Sequence, residues 1–149
     1  MANPIPVLFL MAIPEMIAFS LLVVVITKDL KNWKKAIFVG VVLAVALHFI
    51  RMLPIAFGVH TSLAMILAVT LYKIALDTDL AMVMKAVIIG TLLIALGEFL
   101  FYLLSIGFVG LAFEEIGNSI FWRIVLGYFP IVFLILGTTY LLFRKKNKK

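Results

Sequence analysis

The chain has 149 residues, 66% of them hydrophobic, a mean hydropathy of +1.27 and a formal net charge of +6. That length and composition describe one integral membrane unit with no room for a second soluble domain. The absence of cysteine excludes disulfides, thiolate metal sites and cysteine nucleophiles. The basic charge does not point to nucleic acid, because most lysines and arginines flank apolar runs, as membrane topology requires.

A helix needs about 20 mainly apolar residues to cross roughly 30 Å of hydrocarbon. In chain order the first such stretch covers residues 5–27. It lacks a basic leader and a small-residue cleavage site, so it is expected to be a retained helix. The basic turn Lys28-Asp29-Leu30-Lys31-Asn32-Trp33-Lys34-Lys35 follows, with an interfacial tryptophan. A second span is expected over 36–57 and a shorter third over 61–76. Between them Gly58-Val59-His60-Thr61 reads as a tight turn, with His60 solvated and Thr61 or Ser62 capping the third helix. Asp77-Thr78-Asp79 is a polar turn, Asp79 being the expected cap of a long fourth span over 80–108. Residues 107–118, with three glycines and Glu114-Glu115, read as a loop or surface segment. A fifth span over 119–143 leads into the basic tail 144–149. The expected fold is thus all-α: a polytopic bundle of five transmembrane helices forming one domain over 1–149.

Lysine and arginine asymmetry sets the expected orientation. With the N-terminus out and the C-terminus in, every basic residue except Arg51 and Arg123 falls on the cytoplasmic side. The expected location is a bacterial plasma membrane, with membrane lipids as partners. The tail reads as a topology anchor; contact with anionic lipid or a cytoplasmic partner is the sharper alternative.

Five ionisable residues lie within or just inside the spans: Glu15, His48, Arg51, Glu98 and Arg123. A charge in hydrocarbon costs several kcal/mol unless paired or hydrated, so such residues mark sites. At about 1.5 Å per residue from the cytoplasmic ends, Glu15 and His48 fall at roughly 18 Å, Arg51 at roughly 22 Å, Glu98 at roughly 27 Å and Arg123 at roughly 30 Å. Helix order favours pairing Glu15 with Arg51 and Glu98 with Arg123, since a guanidinium can hold a carboxylate through two hydrogen bonds. His48 and Arg51, three apart, share a helix face. Two readings stay open: a ligand pocket, or ion pairs that fix helix register. For Arg123 there is a third, snorkelling to the outer headgroups. Pro14, Pro54 and Pro130 are candidate kinks beside these charges. Gly40, Ala44, Gly90 and Gly97 offer small surfaces for close helix approach. Phe99, Phe101, Tyr102, Phe108, Phe121 and Trp122 read as an outer aromatic belt.

No nucleotide-binding loop, His-x-x-His or Glu-x-x-His metal pair, or Ser/His/Asp set is present, so no catalytic residue, metal or cofactor is assigned. The two histidines are 12 apart and expected at different depths, which disfavours paired haem ligation.

The segment His48-Phe49-Ile50-Arg51-Met52-Leu53-Pro54-Ile55-Ala56-Phe57-Gly58-Val59-His60-Thr61, with Ile13-Pro14-Glu15 and Gly97-Glu98, resembles the multi-span membrane input regions of sensor histidine kinases of Gram-positive, clostridia-like bacteria. The resemblance implies detection of a signal at or in the membrane, with Glu15, Arg51 and Glu98 in sensing or packing roles. Those sensors continue into a cytoplasmic dimerisation and ATP-binding module, whereas this sequence stops after Lys149, as a free-standing relative of the input region or as a fragment; in either case kinase activity is not implied. The reading that follows is a non-catalytic, sensor-like protein that binds an anionic or carbonyl-bearing amphiphile, such as a lipid or quinone, in the outer half of the membrane. The alternatives are a small transporter or channel, as a monomer or a homo-oligomer, that uses the same charges as a proton or solute path, and an accessory subunit of a membrane complex.

Overall fold

The computed structural model describes residues 5–50, 57–110 and 119–146, and among these there is no strand. Helix α1 (Ile13–Thr27) is entered through a short turn, Ile5–Val7, and a π-helical turn, Leu8–Ala12. A 3-10 turn, Leu30–Asn32, leads into α2 (Trp33–Ile50). Helix α3 is Phe57–Ala75, α4 is Leu80–Leu104 and α5 is Ile120–Lys146. Four segments are long and apolar enough to cross a membrane: Leu8–Thr27, Leu30–Ile50, Leu80–Gly107 and Ile124–Arg144. The fifth, Val59–Ala75, is also apolar but shorter.

The π turn has a local cause. Pro14 carries no N–H, and its ring would clash with the carbonyl four residues earlier in a regular helix. Widening the turn just before it, over Leu8–Ala12, removes the conflict. Pro130, by contrast, lies inside α5, which continues through it. Pro54 lies outside the described residues.

Helix α1 is the axis of the bundle. It packs on α2, α4 and α5, while α3 bridges α2 and α4. Half of its span is buried, against 22–28% for the other three long spans. Leu22, Val23 and Val24 on α1 meet fully buried Ala36, Leu43, Ala44, Val83, Ala86, Val87 and Leu134 from the surrounding helices. The outer faces are apolar too: Phe38, Ile66, Ile74, Leu92, Phe121 and Tyr140 are all exposed, as a hydrocarbon surrounding requires.

Glycines set the crossings. A Cβ on Gly40 would meet Ser20 and the Met16 carbonyl, one on Gly90 the Phe19 ring, one on Gly97 the backbone of Pro130, and one on Gly127 Met11. Without a hydrophobic drive between helices in lipid, such close approach supplies the packing. The crossings run antiparallel for α1 with α2 and α4, and parallel for α1 with α5, where Met11 meets Gly127 and Leu22 lies near Gly137.

The ends of α1, α3 and α5 therefore gather at one end of the bundle, with the starts of α2 and α4. There Asp29 accepts hydrogen bonds from Asn32 Nδ2 (2.8 and 3.0 Å) and from the Asp77 backbone N–H (3.0 Å). One carboxylate thus ties the α1–α2 turn to the α3–α4 turn.

Several sequence expectations need correction. Gly58 and His60 lie in the first turn of α3 rather than in a tight turn, and Thr61 and Ser62 are inside the helix instead of capping it. Glycine is well tolerated in membrane helices, so it did not mark a break. Asp79 holds the N-cap position of α4, but its backbone carbonyl, not its carboxylate, receives the Met82 and Val83 N–H groups (both 3.1 Å). Gly107 belongs to a π-helical turn, Ser105–Val109, that prolongs α4 to a left-handed Gly110 (φ 68°). Phe101 is buried and stacks edge-on against Phe129 (5.2 Å), so it is a core residue and not part of an outer belt; Phe99 and Phe121 do face outward.

Candidate functional site

Glu15 is the best-placed of the five ionisable residues. It follows Pro14 in the first turn of α1, directly after the π turn, and is only 3% exposed. The cause is positional: α1 packs on α2, α4 and α5, and Glu15 lies on the part of its span that these helices cover. A carboxyl in that setting must be compensated, because removing a charge from water costs several kcal/mol.

The packing contacts give the heights of the others. Met11 with Gly127 and Leu22 with Gly137 set the register of α1 on α5, which brings Pro130 and Ile131 level with Glu15. Gly97 presses on Pro130, and Phe19 on Gly90, so Glu98 lies within about one helical turn of Glu15 along the bundle axis. Glu98 is half-buried. The Gly40 crossing places Leu43, not His48, level with Glu15. His48 sits roughly 7.5 Å nearer the end where α1 begins. It is half-buried, with its ring edge-on to Phe49 (5.9 Å).

Register therefore groups Glu15 with Glu98 and lifts His48 away, whereas counting from helix ends had put Glu15 beside His48. The difference arises because the helices are staggered and do not share a common starting plane. Arg51 lies outside the described residues. Arg123 is on α5, two turns before Pro130, and its side chain also lies outside the description. The same reasoning brings His60, half-buried on α3, to about the height of His48, where the sequence had suggested different depths.

One polar contact was not anticipated. About five residues below Glu15, Ser20 Oγ and Tyr72 Oη are 2.7 Å apart, and both residues are fully buried. Ser20 spends its single hydroxyl hydrogen on the Met16 carbonyl (2.7 Å), so Tyr72 is the donor to Ser20. The rings of Phe19 and Tyr72 pack at 6.1 Å beside this pair. The signal was available: a tyrosine in an apolar run needs a hydrogen-bond partner when buried, and Ser20 is the small hydroxyl of the neighbouring span. Along α1 the polar side chains Glu15, Ser20 and Thr27 stand one to two turns apart, and the Thr27 hydroxyl bonds back to the Val23 carbonyl (2.8 Å).

No protein-family model matches the chain, and comparison with curated proteins and with solved structures finds no significant match.

Proposed function

We propose that this chain is a multi-pass plasma-membrane protein, N-terminus out and C-terminus in, that binds an amphiphilic ligand and acts as a sensor. The observation that carries the reading is the burial of Glu15 on the axial helix, with Glu98 within about a turn of it. An ionisable group held inside a membrane bundle is expensive and marks a site by default. The π turn beside it adds support, because such turns are frequent at functional sites. The ligand class is an anionic or carbonyl-bearing amphiphile, and Glu15, His48, Arg51, Glu98 and Arg123 are its candidate contacts. The relay runs through α5, which packs along α1 from Gly127 to Gly137 and leads to the basic segment beginning at Arg144.

The test is mass spectrometry of small molecules retained after gentle detergent extraction, on the wild type, Glu15→Gln and Glu98→Gln. A discrete amphiphile retained by the wild type and lost from both folded variants supports the reading. Retention of bulk lipid alone, or equal retention in all three proteins, overturns it.

The Ser20–Tyr72 pair favours one second reading, a proton or solute path, because it extends polar groups from Glu15 toward the basic end. Flux in proteoliposomes that is abolished by Glu15→Gln would select transport over sensing.

A further inference from the structure

At the basic end, the first turns of α2 and the last turns of α3 line an open groove of about 490 Å³. Its floor and walls are apolar, made by Val39, Leu71 and Ala75, with Phe38 and Ile74 beside them. Phe38 and Ile74 are 70% and 77% exposed, among the most exposed large apolar side chains in the described residues. Lys34 and Lys35 stand at the mouth, both exposed, and no acid lines the groove.

We infer that this groove binds a phospholipid with a net negative headgroup. The chemistry is divided along the groove: an acyl chain lies against Phe38, Leu71 and Ile74, and the phosphate meets Lys34 and Lys35. Of the neighbouring charges, Lys28, Lys31, Asp77 and Asp79 are exposed at the same end, and two others have partners. Lys73 donates to the Thr78 carbonyl, and Asp29 is occupied by Asn32 and the Asp77 N–H. Trp33, with Lys34 Nζ 5.7 Å from its ring centre, sits where an interfacial anchor belongs and sets this level at the headgroup boundary. A membrane face attracts basic residues through anionic lipid, each lysine near the surface contributing about a fivefold gain in affinity. The groove adds shape to that attraction, and its lysines lie about 12 Å along α2 from the level of Glu15, so this site does not depend on the proposed Glu15 pocket.

The experiment is native mass spectrometry of the full chain in detergent, titrated with phosphatidylglycerol or phosphatidylcholine. The wild type is expected to hold phosphatidylglycerol in preference. Lys34→Gln/Lys35→Gln should lower that affinity by more than about tenfold and lower phosphatidylcholine binding much less. Ala75→Phe, which fills the groove, should weaken both lipids. Lys28→Gln/Lys31→Gln removes the same charge from the same end, outside the groove, and should cost clearly less than the groove pair. Equal losses in the two lysine pairs, or no headgroup preference in the wild type, would overturn the inference.

Discussion

Tyr72 on α3 donates a hydrogen bond to Ser20 on α1, a buried polar link from the axial helix to a helix that otherwise packs on α2 and α4. The direction of that bond makes the two partners unequal. Tyr72→Phe removes the donor and leaves Ser20 still bonded to the Met16 carbonyl, so it should cost only about 0.5–1.5 kcal/mol. Ser20→Ala strands a buried phenol and should cost about 1–3 kcal/mol. The double variant should be more stable than Ser20→Ala alone. Thermal unfolding in detergent measures all three, and a larger loss for Tyr72→Phe than for Ser20→Ala would reverse the assignment of the donor.

Helix crossings give a second prediction. Gly40→Ala would bring a Cβ to 2.6 Å from the Met16 carbonyl oxygen, and Gly97→Ala would bring one to 2.8 Å from Pro130 Cα. Both obstacles are backbone, which cannot rotate away. Each change should destabilise the bundle by about 1–3 kcal/mol, less whatever helix propensity the alanine restores. Gly107→Ala meets nothing within 4 Å and should stay within about 0.5 kcal/mol of the wild type. If all three variants unfold together, the close crossings are not what holds the helices.

These crossings also show what a membrane sequence reveals and what it hides. The first span is legible almost to the residue: an apolar run from Ile5 meets Lys28, and the helix ends at Thr27. The burial of Glu15 is legible as a charge in that run. That α1 is the axial helix is not legible, because lipid-facing and core-facing residues are equally apolar, so no stripe separates inside from outside. Phe101 was misplaced for the same reason. Heights were misjudged because stagger and tilt depend on contacts such as Gly97 with Pro130, which no count along one helix contains.

Sidedness is the remaining prediction, and a chain without cysteine allows it to be read cleanly. Asp29 joins the two turns, and α5 runs parallel to α1, so Lys31, Thr78 and Arg144 belong at one end of the bundle. Gly107, beyond the far end of α4, belongs at the other. Single replacements Lys31→Cys, Thr78→Cys, Arg144→Cys and Gly107→Cys, each exposed to a membrane-impermeant maleimide in intact cells, separate two claims. The packing requires the first three to label alike and Gly107→Cys to differ; Lys31 and Thr78 reacting on opposite sides would break the Asp29 tie and the fold with it. The charge asymmetry requires the group of three to react only after permeabilisation. Labelling of those three in intact cells, with Gly107→Cys protected, would keep the bundle, invert its orientation, and move the Glu15–Glu98 level to the inner half of the membrane.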